Sequence, residues 1–178
     1  MRKNILYRPA FCVFALMLYQ TSFANNPTRS LSGFDYRLEL TIDTAPPREV
    51  MEVVKTAINS LNNFNIDAVA NLYTPNAVVA DDEAPYSWNG PTAGVQWVNA
   101  VERVCRESNL TKLKGQIGRV NVYQQSDGDA YIVVPVEYTG NLPGKATFDT
   151  EGAFAFILRK INDKWMIKSQ VWIPRKGM

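Results

Sequence analysis

Apolar residues change their spacing part-way along this chain, and that change restricts the fold more than any other feature. Between about residues 47 and 63 they recur at intervals of three and four, which is the spacing of an amphipathic helix. A second stripe of this kind runs from Gly90 to about Asn109. From Lys112 onward, apolar and polar residues alternate instead, which is typical of strands with one buried face. Helices that precede a run of strands favour an α+β domain.

Turn-forming residues bound the remaining elements. Asn65-Ile66-Asp67 is expected to cap a second short helix, which is predicted over residues 68–73 and ended by Thr74-Pro75. A short strand is predicted at 77–80. After the third helix, four long antiparallel strands follow in a meander, predicted at 117–123, 130–138, 146–158 and 165–173.

The first two dozen residues have the layout of a cleavable secretory signal. Arg2, Lys3 and Arg8 make a basic start, an uncharged apolar run occupies 10–19, and small residues precede a cut after Ala24. The run is shorter than the ~20 residues of a membrane span, although a retained N-terminal anchor is the alternative. We expect a secreted or periplasmic protein with no membrane attachment after cleavage. The predicted parts are a signal peptide at 1–24, a leader or short strand arm at 25–46, and one domain at 47–174.

Charge and cysteine content exclude some partners and bonds. Three of the 19 basic residues lie in the predicted signal, which leaves 16 against 17 acidic residues and a net charge of −1. No basic face is indicated, so nucleic acid is not an expected partner. Cys105 is alone once Cys12 leaves with the signal, so no internal disulfide is expected. Its helical apolar neighbours indicate a buried thiol that acts as a small hydrophobe.

The chain contains no histidine. This removes the usual general base near neutral pH, the commonest metal ligand, and any Ser-His or Cys-His nucleophile pair. The acidic residues show no EF-hand or other ligand spacing, so neither a metal nor a cofactor is expected. Acid–base chemistry would therefore depend on Asp, Glu, Tyr, Lys or the single Cys.

Residues 48–174 resemble the SnoaL-like superfamily, which includes nuclear transport factor two and the ketosteroid isomerases. The resemblance is carried by LNNFNIDAVANLYTPNAVV at 61–79, by the spacing from Asp81 to WNGPTAG, and by NDKWMIKSQVW at 162–172. It implies a cone-shaped, cystatin-like α+β fold, in which a curved antiparallel sheet wraps around three N-terminal helices and encloses one apolar pocket. Such domains often form homodimers through the outer face of the sheet.

The resemblance also implies a candidate catalytic residue. Asp81 stands nine residues before Gly90, which is the position of the proton-shuttling aspartate in the ketosteroid isomerases. A carboxylate in an apolar cleft has a raised pKa and can act as a base. The tyrosine and the protonated acid that stabilise the oxyanion in those enzymes correspond here to about Ala57 and to Phe154 or Ala155, which cannot donate hydrogen bonds from their side chains.

Aromatic side chains are abundant enough to line such a pocket. The predicted ligand-binding residues are Tyr73, Tyr86, Trp88, Trp97, Tyr138 and Phe154. Three further acids, Glu137, Asp149 and Glu151, lie on predicted strands, and strand alternation leaves open which strand face meets the pocket.

Three functions are consistent with these features. The first is an exported pocket domain that binds a small apolar or aromatic ligand without converting it. The second is an isomerase- or cyclase-type enzyme with Asp81 as general base and Tyr86, Trp88 or Tyr138 as hydrogen-bond donors. The third is a non-catalytic interaction or assembly domain. The fold alone does not choose among them.

Overall fold

The structure is a computed structural model that describes residues 45–144 and 147–175. The predicted signal peptide and nearly all of the predicted leader, including its strand arm, lie outside the described residues. Within the described ranges, no helix is long and apolar enough to cross a membrane.

Three α-helices lie in the N-terminal half of the described chain: α1 at Arg48–Asn59, α2 at Ile66–Val69 and α3 at Ala93–Glu107. A 3₁₀ turn at Ser60–Asn62 extends α1. The predicted cap is confirmed, because the Asn65 side chain accepts a hydrogen bond from the Ala68 N–H at 3.1 Å. The predicted extent of the second helix is wrong. It ends at Val69, and the chain is already extended from Tyr73.

Seven strands lie in the described ranges: β1 at Tyr73–Ala80, β2 at Ser87–Asn89, β3 at Thr111–Ile117, β4 at Val122–Ser126, β5 at Asp129–Asn141, β6 at Phe148–Ile161 and β7 at Lys164–Pro174. They form one sheet with the order β2-β1-β7-β6-β5-β3, in which β4 also pairs with β5. β1 and β7 are parallel, whereas the other pairs are antiparallel. The sheet is therefore mixed rather than purely antiparallel.

The single strand predicted at 117–123 is two strands. β3 pairs with β5 up to Ile117 opposite Val136, and β4 resumes with Val122 opposite Val133. Pro135 lies between these two partners and has no N–H to donate to the neighbouring strand, so the ladder breaks there. The intervening chain is held by the Gly118 N–H, which donates to the Pro135 carbonyl at 2.9 Å.

The helices cover one face of the sheet, and the main core lies between the two layers. On α1, Val50, Val54, Ala57 and Ile58 are buried, as the helical stripe predicts. They join a core cluster that includes the inward-facing residues of the three longest strands, such as Ile132, Val134, Phe156, Leu158 and Ile167. The predicted α+β fold, a curved sheet around three N-terminal helices, is confirmed.

Candidate functional site

A cavity of about 440 Å³ lies between α3 and the inner face of the sheet. This volume falls within the range of small-molecule sites, roughly 300–1,000 Å³. α3 contributes an apolar wall that includes Ala100, Val101 and Val104. Much of the remaining lining is aromatic: Trp88, Trp97, Tyr138, Phe148, Phe154 and Trp172.

The aromatic rings pack against one another and hold the cavity wall in place. Phe154 lies near its centre, with its ring centroid 5.7 Å from that of Trp97 and 4.8 Å from that of Trp172. Trp172 also meets the Tyr138 ring edge-on at 5.9 Å. Such offset and edge-on contacts stabilise aromatic pairs beyond their simple burial. The wall is therefore a connected set of rings rather than loose side chains.

Asp81 lines this cavity at the end of β1. Its backbone N–H donates to the Tyr86 carbonyl at 3.1 Å, which closes the loop between β1 and β2. One carboxylate oxygen, Oδ2, accepts a hydrogen bond from Trp97 Nε1 at 2.7 Å, and the other, Oδ1, accepts one from the Glu83 N–H at 3.3 Å. Trp97 is buried, so its N–H holds the carboxylate in a defined orientation.

Burial raises the pKa of Asp81 from 3.8 to about 6. The hydrogen bond from Trp97 opposes this shift, the nearby Asp82 carboxyl adds to it, and the Glu83 N–H again opposes it. Near neutral pH the Asp81 carboxylate is therefore ionised, yet it binds a proton far more readily than an aspartate in water. These are the properties of a general base.

Tyr138 also lines the cavity. The side chain is buried on β5, and its hydroxyl donates only a long hydrogen bond, 3.5 Å, to the Ile58 carbonyl. Burial raises the Tyr138 pKa, and the charge of Asp81 raises it further, so the hydroxyl keeps its proton. A hydrogen bond of this length is weak. The Tyr138 hydroxyl therefore has no strong acceptor among the described residues.

No protein-family model and no curated protein matches the sequence. Solved structures do match. A hexachlorocyclohexane dehydrochlorinase (LinA) Type2 superposes with a TM-score of 0.61 at 9% identity, over 71% of this chain and 83% of that chain. A proposed scytalone dehydratase from Novosphingobium aromaticivorans superposes with a TM-score of 0.58 at 11% identity, over 71% of this chain and 82% of that chain. A protein of unknown function with a cystatin-like fold, from Nostoc punctiforme, superposes with a TM-score of 0.55 at 13% identity, over 73% of this chain and 91% of that chain. The chain has the SnoaL-like fold. At these identities the likeness concerns the fold alone.

The SnoaL-like fold brings five of the predicted site residues together. Asp81, Trp88, Trp97, Tyr138 and Phe154 all line the cavity. Trp88 is in β2, and it is buried.

Tyr73 and Tyr86 do not line this cavity, contrary to the prediction. The Tyr73 ring packs against Gly94 of α3. Its hydroxyl donates a buried hydrogen bond to Gln170 Oε1 at 2.6 Å. Tyr86 is 63% exposed, in the loop that precedes β2. Tyr73 is thus a core residue and Tyr86 a surface residue.

Trp172 and Cys105 are among the cavity residues that were not predicted as ligand contacts. Trp172 lies directly opposite Phe154 in the β6–β7 register, so the placement of Phe154 could have indicated it. Cys105 also contributes to the lining, from α3. Burial raises the pKa of its thiol, with a further contribution from Glu102, so it remains a protonated, small apolar group.

The three other acids considered from the sequence lie in different environments. Asp149 lines the cavity, whereas Glu137 is exposed and Glu151 pairs with Arg175. Among the described residues, no group of three or more Cys, Asp or Glu side chains is placed to hold a metal ion.

Proposed function

We propose that this domain binds a small apolar or aromatic molecule in the cavity and that Asp81 removes a proton from it as general base. The observation that carries the proposal is the Asp81 carboxylate, which lies in an aromatic cavity with one oxygen held by Trp97 and a pKa raised to about 6. We also propose, from the N-terminal sequence, that the protein is exported and loses residues 1–24.

The proposed step is the transfer of a proton from carbon to oxygen. The Asp81 carboxylate takes a proton from a C–H bond next to an electron-withdrawing group, such as a carbonyl. The electron pair of that bond moves into the ligand, and the carbonyl oxygen becomes an enolate oxygen. The proposed donor to that oxygen is Tyr138, supported by its position in the cavity lining and by its long hydrogen bond to the Ile58 carbonyl. Return of the proton to another carbon completes an isomerisation, whereas loss of a leaving group completes an elimination.

Replacing Asp81 with asparagine is expected to abolish proton abstraction. A suitable probe is 2-tetralone, an aromatic ketone with acidic C–H bonds, whose hydrogen–deuterium exchange in D2O is followed by NMR. The wild-type protein should accelerate the exchange, and Asp81→Asn should reduce that acceleration by about 100-fold or more. Because the ionised carboxylate is the base, the wild-type rate should rise with pH through about 6 and then level off.

The matched control is Asp127→Asn, which removes an exposed carboxylate from the β4–β5 turn and should leave the exchange rate unchanged. Exchange that is equally fast with Asp81→Asn would contradict the base assignment. If 2-tetralone binds without any accelerated exchange, the domain is a binding module rather than an enzyme. Native mass spectrometry of the exported protein would then identify its ligand.

A homodimer through the outer face of the sheet is the second candidate property. Val122, Val133, Ala155 and Val171 are successive cross-strand neighbours on that face, from β4 to β7. Tyr131 and Ile157 lie opposite each other beside this row, and they are 40% and 39% exposed. A contiguous apolar surface of this kind favours association with another protein surface.

If this face forms the dimer, Ile157→Glu should convert a dimer into a monomer, because it places a charge on this apolar face of the sheet. Sedimentation velocity measures the change directly. Gln96→Glu is the control, since it adds the same charge at an exposed position of α3. A wild-type protein that sediments as a monomer at high concentration would contradict the proposal.

A further inference from the structure

The charged residues of the cavity lining are all acidic. Asp81, Asp82 and Glu83 reach it from the β1–β2 loop, and Asp149 reaches it from β6. No lysine or arginine of the described ranges contributes to the lining. Two separate elements therefore direct negative charge to the same cavity. A potential of one sign in a concave site repels ligands of that sign, so an anionic ligand is disfavoured.

These carboxylates form no ion pair with a lysine or arginine of residues 45–144 and 147–175. Among the described residues, the ion pairs involve other acids, and none includes Asp81, Asp82, Glu83 or Asp149. Asp81 receives only the two N–H donors of Trp97 and Glu83. Asp81 is partly withdrawn from water, and proteins usually pair such a charge, whereas Asp82, Glu83 and Asp149 are exposed and add negative potential at the cavity. A cation bound in the cavity would supply the missing counter-charge.

The aromatic lining suits a cation independently of the acids. Trp88, Trp97, Tyr138, Phe154 and Trp172 surround the space from β2, α3 and the three longest strands. Indole and phenol rings attract ammonium groups through the negative potential over their faces. An apolar ligand would use the same rings, but it would leave the partly buried Asp81 carboxylate without a counter-charge. The combination of rings and acids thus favours a cationic ligand more specifically than either feature alone.

We infer that the ligands of this cavity are small organic cations, aromatic or apolar molecules that carry an ammonium group. The inference rests on the proposed function, because it assumes that the cavity binds a small molecule. It is compatible with Asp81 as base, since a positive nitrogen draws electrons from neighbouring C–H bonds and makes their protons easier to remove.

Three probes with one ring skeleton test the inference: 2-aminotetralin, which is a cation at pH 7.5, 2-tetralol, which is neutral, and tetralin-2-carboxylate, which is an anion. Affinities for the full mature protein are measured by calorimetry and by tryptophan fluorescence. The amine should bind about tenfold more tightly than the alcohol, and the carboxylate more weakly than either. The double variant Asp82→Asn/Asp149→Asn should reduce the ratio of amine to alcohol affinity several-fold, and the exposed control Asp127→Asn should not change it.

Two outcomes overturn the inference, and they differ in whether the proposed function fails as well. If the alcohol binds as tightly as the amine or more tightly, the charge preference is wrong while the proposed cavity binding stands. If none of the three probes binds and 2-tetralone does not bind either, the proposed function fails together with the inference. An affinity ratio that the double variant leaves unchanged would show that these two carboxylates do not recognise the charge.

Discussion

Asp81→Asn is expected to stabilise the protein at pH 8, by about 2 kcal/mol in the free energy of unfolding. The pKa of Asp81 is raised from 3.8 to about 6 by burial, so ionising this group opposes folding. A shift of this size corresponds to about 3 kcal/mol, and partial exposure of the carboxyl reduces the effect. Asparagine has nearly the same shape, and its oxygen can still accept the Trp97 N–H. It therefore keeps the hydrogen bond without the buried charge.

The same variant should lose a pH dependence of stability. Between about pH 4 and 6 the folded wild-type protein holds a proton on Asp81 that the unfolded chain has released, so its stability falls as the pH rises through this window. Asp81→Asn cannot release this proton. The difference in unfolding free energy between variant and wild type should therefore grow from pH 4 to 6 and stay constant above, as measured by urea unfolding.

Asp127→Asn is again the control, because it removes a carboxylate that is exposed in both states. It should change stability by less than about 0.5 kcal/mol at any of these pH values. A variant Asp81→Asn that is less stable than the wild type at pH 8 would show that the carboxylate is well compensated, and the raised pKa would then be wrong.

Gly94→Ala is expected to destabilise the protein by about 3 kcal/mol, although alanine favours a helix by up to ~1 kcal/mol over glycine. A Cβ atom at this position of α3 would lie 2.6 Å from Cδ2 of Tyr73 and closer still to Cε2 and Cζ. Tyr73 cannot move aside easily, because it is 3% exposed and its hydroxyl is bonded to the buried Gln170. Moving the ring would leave a buried polar group without its partner.

Combining the substitution with Tyr73→Val distinguishes this steric cause from a general defect. The double variant should be more stable than the sum of the two single changes predicts, since valine removes the ring that the new Cβ meets. Gly118→Ala is the matched control, because its Cβ would make only an ordinary contact of 3.4 Å with Pro135. Additive effects of Gly94→Ala and Tyr73→Val would contradict the packing described for Tyr73.

Local patterns predicted most of the fold. Residues close together in the sequence determine three of these features: the stripe of α1, the Asn65 cap and the alternation of β5 to β7. They can therefore be recognised without tertiary information. The parallel pairing of β1 with β7 could not be predicted in this way, because it joins strands about ninety residues apart. The break at Pro135 was also missed, since it depends on which side of β5 the missing N–H faces.

The site was only partly predictable for the same reason. Asp81 was identified through the family resemblance, by its spacing to Gly90, which is a local feature. Its hydrogen bond with Trp97 depends on how α3 is rotated over the sheet, which the local sequence does not show. Tyr73 was assigned to the pocket because an aromatic residue next to a strand has the same sequence signal whether it lines a cavity or packs on a glycine.

If Asp81 is a base of raised pKa inside the cavity, ¹³C NMR of the aspartate carboxyl carbons will show it in the titration of a single group. Aspartate labelling of the protein, with Asp81→Asn to assign the signal, gives that titration curve. The expected midpoint is near pH 6, well above the ordinary value of 3.8. A midpoint near 4 would show that the carboxyl is solvated and would contradict the proposed function.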